Sequence, residues 1–550
     1  MSRTVWRVAG WTIAAAVPVA FLAVFFLWPV GTLVSMGFTG PDGLSLDGLR
    51  TVFAAPRTWR ILGTTLLLAV TGTLACVVLG VPGAYVLYRL RFPGRGVVRA
   101  LVTIPFVLPT VVVGVAFRSL LIGSGPLGFL GLDESFTAIV AALVFFNYSV
   151  IVRTVGTMWA RLDTRTADAA RTLGAFPARV FWTVTLPALA PAIASGAALV
   201  FLFCASAYGI VMVLGGITWG TIETEIWYQT TQLLDLPAAA ALSIVQLVVV
   251  TASLLVANAA RTKSEQALTL RTDTGVEGRL TVRRDWLPAL VTAVIVLGLL
   301  CLPMANLAWS SFQTPSGPGW GNYANLATTG TGLTVPVWTA VVNSLVTASQ
   351  ATILAVGLGV LVAVLSSRRP RSVWGRRGLA ALDSAFMLPL GVSAVTVGFG
   401  FLVTLNRPPL DLRSSMILVP IAQAMVALPL VVRTLLPVLR AIDPRQLEAA
   451  AVLGSSPRQV LWRIEGPHLA RGLGLAIGFA FATSLGEFGA TSFLSRPDSP
   501  TLPTVIFRLI SRPGPDNYGM AMAAATLLAL LTGAVMAVAE RFRPKEATTW

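Results

Sequence analysis

Covalent chemistry has few side chains to work with in this sequence. His468 is the single histidine, which excludes a poly-histidine metal site and makes a Ser-His-Asp hydrolase improbable. The two lysines, Lys263 and Lys545, both lack the preceding glycine of a Gly-Lys-Ser/Thr phosphate loop. ATP hydrolysis would therefore need another polypeptide. Cys76, Cys204 and Cys301 are odd in number and each lies in an apolar run, so they read as small buried hydrophobes and not as a disulfide or metal framework.

What remains is one acid among apolar residues and one polar loop that occurs twice. Glu487 falls in an apolar run, where an ionised side chain costs about 2.5–3.5 kcal/mol or more unless it meets protein or water. Its repeat mate is Ala207, so the acid occurs once. Two readings are open: a group on a translocation path assisting a positively charged cargo, or a carboxylate hydrogen-bonded to fix packing. Tyr208 and Phe488, followed by Gly209 and Gly489, are the matched aromatic candidates for the same path. Glu223 and Glu225 read as outer residues, facing either a partner or solvent.

The polar loop reads Asp168-Ala169-Ala170-Arg171-Thr172-Leu173-Gly174, then nine residues, then Val184-Thr185-Leu186-Pro187. Its second copy is Glu448-Ala449-Ala450-Ala451-Val452-Leu453-Gly454, nine residues, then Ile464-Glu465-Gly466-Pro467. The repeat runs without a gap from 109–222 to 389–502, an offset of 280 residues. Alanines and leucine suit a short helix, and Gly174 and Gly454 sit where a helix ends in a left-handed residue. Ser456-Pro457 reads as an N-cap followed by a first-turn proline, and Phe176-Pro177 keeps the proline. Pro187 and Pro467 are expected to mark the turn into the next span. Each loop is thus a helical elbow shaped to receive another surface.

The elements that must hold these loops are apolar. With 55 % hydrophobic and 11 % charged residues and a mean hydropathy of +0.79, the chain lacks the polar surface of a soluble globule, so the bilayer is its solvent. Runs of about 20 residues, the length needed to span, centre on 11–36, 62–87, 101–122, 138–158, 189–214 and 239–257. In the second half they centre on 287–307, 341–365, 379–405, 416–436, 473–494 and 520–539. The expectation is an all-α polytopic membrane protein of about twelve helices in two parallel six-helix repeats: 1–258, a cytoplasmic linker 259–285, and 286–550. The first run reads as a retained helix and not a cleaved signal peptide.

The net charge of +17 is a topology signal and not a nucleic-acid footprint. With a cytoplasmic amino terminus, 31 of the 40 basic residues fall on inner segments, including Arg3 and Arg7, Arg89 to Arg99, Arg368 to Arg377, and Arg541, Arg543 and Lys545. The positive-inside rule then puts both termini and both elbows in the cytoplasm.

The repeated loops resemble the signature of ATP-binding-cassette (ABC) importer permeases: Glu-Ala-Ala, three residues, Gly, nine residues, Ile, one residue, Leu-Pro. Asp168 stands for the glutamate, Val184 for the isoleucine and Gly466 for the leucine. The resemblance implies that Asp168, Ala169, Ala170, Gly174 and Pro187, with Glu448, Ala449, Ala450, Gly454 and Pro467, form coupling loops docking into clefts on two separate cytoplasmic ATPase subunits. It further implies type I importer domains, an extracytoplasmic binding protein, a place in the cytoplasmic (inner) membrane, and no cofactor in this chain, ATP being bound by a partner. Phe145-Phe146-Asn147, Leu214-Gly215-Gly216 and Ser484-Leu485-Gly486-Glu487-Phe488-Gly489 resemble the fused thiamine and ferric-iron branch. The alternative is an ion-gradient-driven twelve-helix carrier, but its signature loop would carry an acid that Arg89 to Arg99 lacks, and it has no use for a duplicated elbow.

Overall fold

The computed structural model describes residues 14–40, 43–216, 218–269, 278–368, 373–408, 410–412 and 415–542. Arg3, Arg7, Arg369, Arg371, Arg543, Lys545 and residues 270–277 of the expected linker lie outside them.

Among the described residues, ten helices are long and apolar enough to cross a bilayer: Ala14–Gly37, Pro56–Arg89, Phe136–Ala160, Pro177–Ala205, Leu236–Val256, Asp285–Ser310, Val337–Ser366, Leu418–Arg440, Arg458–Leu485 and Pro515–Glu540. Two of the about twelve expected runs break within the corresponding parts of the two halves. The run 101–122 is a pair, Arg95–Val107 and Thr110–Leu121, bent by 107°, and counts as an eleventh span only if the pair is one crossing. Pro109 supplies the cause: it offers no N–H to a helix and forces Leu108 into an extended conformation, φ −67° and ψ 143°. In the second half, 379–405 breaks at Val392, also extended, before the helix Ala394–Thr404, whose N-cap Ser393 accepts from the Thr396 amide at 3.0 Å. Hydropathy registers the length of an apolar run and not its direction.

The runs 189–214 and 473–494 also stop early, at Ala205 and Leu485, each followed by a turn and a short helix, Gly209–Leu214 and Thr491–Leu494. The stretch expected to be linker from 259 begins as helix, because Leu236–Thr269 continues through residues of good helix propensity. Further along, Gly278–Arg279 pairs in parallel with Leu90–Arg91.

Packing divides the chain into two compact units that do not follow the sequence boundaries 1–258 and 286–550. One gathers the described residues before 52, 226–244 and those from 323 onward. Its core lies among Val337–Ser366, Leu418–Arg440 and Gly466–Leu485, and the chain's first helix belongs to it, with Leu22, Phe26 and Leu33 buried. Gly400 lets that helix in: a Cβ there would lie 3.2 Å from Pro29 and 3.3 Å from Leu33.

The other unit gathers 52–225 and 245–322. Pro56–Arg89 packs along Phe136–Ala160, with Gly83 giving way to the Tyr148 hydroxyl. This unit takes in Asp285–Ser310, the first helix of the second sequence half. Tyr85 Oη donates to Asp285 Oδ1 at 2.9 Å, and Asn306 Nδ2 donates to Ser119 Oγ at 3.0 Å. Each unit is therefore completed by a helix from the opposite half of the sequence.

Candidate functional site

Both repeated loops fold as the same short sequence of turns. The first begins with Asp163, whose Oδ1 accepts from the Arg165 amide at 2.9 Å, and runs as the helix Arg165–Thr172. The second begins with Asp443, whose Oδ1 accepts from the Arg445 amide at 2.9 Å, and runs as Pro444–Val452. Each helix ends in paired reverse hydrogen bonds that use up its last carbonyls. Ala175 N donates to Ala170 O at 3.1 Å and Gly174 N to Arg171 O at 2.9 Å; Ser455 N donates to Ala450 O at 2.9 Å and Gly454 N to Ala451 O at 3.0 Å. This closure needs a left-handed residue, and Gly174 and Gly454 supply it with φ of +85° and +74°.

A second short helix then leaves at a fixed angle. In the later copy Ser456 and Gln459 cap each other: Gln459 Oε1 accepts from Ser456 N at 2.7 Å and Ser456 Oγ from Gln459 N at 3.4 Å. In the earlier copy the turn rests on Phe176, held extended before Pro177. Pro187 and Pro467 are not turns into the next span, as expected from sequence. The chain passes through one π-helical stretch, Phe181–Thr185 or Leu461–Glu465, and continues directly into the span. The wider ring accommodates a proline that has no N–H to offer and whose own ring would crowd a normal turn.

What these elbows present is chemically consistent. Asp168, Ala169, Glu448 and Ala449 are exposed, Ala170 is half-buried and Ala450 buried. Asp168 pairs with Arg171 at 2.8 Å. The tip of each carries a bare leucine, Leu173 at 88 % exposure and Leu453 at 83 %, followed by Trp182 and Trp462. The copies differ in their support. Glu465 is buried and takes both terminal nitrogens of Arg368 at 2.7 Å each, tying the second elbow to the end of Val337–Ser366. Thr185 occupies the matching position of the first elbow. Sequence reading passed over this pair, although an acid at Glu465 where the other copy has threonine was the available signal.

Glu487 lies just past the end of its span and not within it, in the turn after Leu485. Its Oε1 accepts from the Ala490 amide at 2.7 Å and its Oε2 from the Thr491 amide at 3.0 Å, while Thr491 Oγ1 donates to the Glu487 carbonyl at 2.8 Å. The side chain, 6 % exposed, thus caps the helix Thr491–Leu494. Phe488 is buried beside it with its ring 5.4 Å from that of Phe507; Tyr208, also buried, belongs to the other unit. His468 is half-buried in the first turn of Gly466–Leu485.

The reading of Glu223 and Glu225 as solvated or partner-facing is overturned. Glu223 is fully buried, with Oε1 accepting from Gln246 Nε2 at 2.6 Å, and Glu225 is buried against Arg57 at 2.9 Å. Both open the helix Ile222–Thr231, where acids suit the positive end of the dipole, and that helix turns them inward.

Many apolar spans and two exposed, identically closed elbows define a polytopic membrane protein with one surface feature used twice. Residues 76–265 match the family model described as the binding-protein-dependent transport system inner membrane component. The sulfate transport system permease protein CysT of Salmonella typhimurium is 32 % identical over 254 residues, covering 45 % of this chain and 89 % of that protein. The thiamine transport system permease protein ThiP of Brucella abortus is 27 % identical over 497 residues, covering 88 % of this chain and 87 % of that protein. Among solved structures, a bacterial ABC transporter involved in the import of alginate aligns with a TM-score of 0.40 at 19 % identity, over 48 % of this chain and 99 % of that one. The chain belongs to the family of binding-protein-dependent transport system inner membrane components, the permeases of ABC importers.

Proposed function

We propose that this chain is the whole membrane pathway of an ABC importer, with both halves in one polypeptide, and that its two elbows seat in two cytoplasmic ATPase subunits. The observation that carries this reading is the pair of bare leucines, Leu173 and Leu453, each at the tip of an elbow closed by the same reverse hydrogen bonds. Two such apolar tips at repeat-related positions call for a partner used twice. Both elbows and both termini face the cytoplasm on the charge distribution, and an extracytoplasmic binding protein delivers the solute on the other side. ATP is hydrolysed on the partner. Replacing both leucines with glutamate abolishes co-purification of the ATPase subunit while leaving the permease inserted; co-purification at parental yield would sink the proposal.

The cargo we favour is thiamine or a related organic cation, ahead of ferric iron. Similarity to the thiamine permease covers nearly the whole chain, whereas similarity to the sulfate permease covers one half. Uptake of labelled thiamine, ferric iron and sulfate is to be compared in proteoliposomes holding permease, ATPase and binding protein. Saturable, ATP-dependent thiamine uptake is expected, and uptake of sulfate instead would replace this cargo without disturbing the permease assignment. The candidate path residues are carried forward in a narrower sense: Glu487 shapes the turn that presents Phe488, and Tyr208 stands at the repeat-related position.

A further inference from the structure

An open pocket of about 440 Å³ lies at the end of the membrane helix Val337–Ser366, in the size range of small-ligand sites. Three guanidinium groups line it, those of Arg368, Arg376 and Arg440, against a single wall carboxylate, Asp383. Two of the three charges are balanced. Arg368 is held by Glu465 behind the wall at 2.7 Å, and Arg440 pairs with Asp383 at 3.3 Å. The third, Arg376, is exposed and has no hydrogen bond or ion pair to any described residue, so the pocket keeps one positive charge in excess. Ser366, 6 % exposed, forms part of the wall.

The other sequence half treats the same place differently. Arg99 stands where this half has Leu379, and it spends its guanidinium internally, Nε donating to the Leu87 carbonyl at 2.8 Å while the group lies 4.3 Å over the Tyr88 ring. Thr103 and Ala160 replace Asp383 and Arg440. An internal arginine satisfies one copy, and the other is left open and lined by guanidinium groups.

We propose that this pocket binds a phosphate group, taken either from an anionic lipid headgroup or from a soluble phosphate. Phosphate oxygens can accept from Arg376, and Arg368 and Arg440 flank them with two further charged forks. A basic pocket at the end of a membrane span lies at headgroup depth, where each arginine strengthens anion binding severalfold. The assignment is independent of the cargo and of the elbows' partner.

The test uses the full chain in non-ionic detergent. Retention of phosphatidylglycerol is read by native mass spectrometry, and retention of inorganic phosphate by equilibrium dialysis. Arg376→Gln removes the surplus charge from an exposed position, and Ala380→Trp plugs the pocket without changing charge. One bound phosphatidylglycerol, held about fivefold more weakly by the glutamine variant and lost from the tryptophan variant, identifies the lipid as the source. The same pattern with inorganic phosphate identifies a soluble one. Retention of neither probe by the parent, or undiminished retention by both variants, overturns the proposal.

Discussion

At the scale of single residues, Glu487 shows how a buried acid can be satisfied by backbone donors alone. Its two oxygens each accept a backbone N–H, from Ala490 and Thr491, so the charge is met by the start of a helix. Glutamine has one acceptor oxygen where glutamate has two. Glu487→Gln is therefore expected to leave one buried amide unmet and to lower stability by about 1–3 kcal/mol, measured by thermal unfolding in detergent. An unchanged unfolding midpoint combined with slower uptake would reverse the assignment in favour of the translocation path. The sequence made this residue stand out, as the acid in an apolar run, but its partners could not be read. They depend on the chain breaking after Leu485, and nothing in the local composition requires a break there. Glu223 and Glu225 were misread for a related reason: an acid after a glycine-rich turn looks solvated until the helix that carries it is seen to turn inward.

At the scale of elements, the elbows were the most legible part of the chain. A glycine ending an alanine-rich helix has one good geometric reason, and the φ of +85° at Gly174 and +74° at Gly454 supply it. No atom lies within 4 Å of a Cβ added at either glycine, so substitution there meets no clash, only the conformational cost of about 1–2 kcal/mol per residue. Asparagine, which tolerates the left-handed region, is expected to preserve ATPase stimulation by the binding protein at both sites, and valine to lose it. Equal coupling by the two variants would mean that the closure does not matter. The tie from Glu465 to Arg368 adds an asymmetry between the copies. Removing the carboxylate with Glu465→Ala strands a partly buried guanidinium and should loosen the second elbow, seen as faster hydrogen exchange across Pro444–Val452 with Arg165–Thr172 unchanged. The prolines misled because a π-helical stretch, which depends on hydrogen-bond register and not on residue type, lets the chain run straight through them.

At the scale of the whole molecule, the count of apolar runs was readable and their continuity was not, since the chain breaks within two of them, at Leu108–Pro109 and at Val392. Which helix packs in which unit was not readable either, because any apolar helix suits any apolar groove until shapes such as Gly400 against Leu33 select one. The exchange of first helices predicts that residues 286–550 expressed alone lack the side chains of Leu22 and Phe26 that fill their core and of Leu33 that packs at Gly400, and are degraded or aggregate. Co-expression with residues 1–258 should restore a stable product, measured by yield after gel filtration. A well-behaved 286–550 fragment would contradict the packing. With no phosphate loop in the sequence, the purified chain in liposomes is expected to show no ATP turnover until an ATPase subunit is added.

The same exchange sets a timetable for biosynthesis. Ala14–Gly37 leaves the ribosome well before Ala394–Thr404, on which it packs and which is made about 350 residues later. At about 5–20 residues per second, the helix waits roughly 20–70 s in the membrane before its seat exists. It can wait because a helix satisfies its own backbone in lipid. The permease is thus assembled around a segment stored in the bilayer, and a ribosome that stalls before residue 394 leaves that segment without its partner.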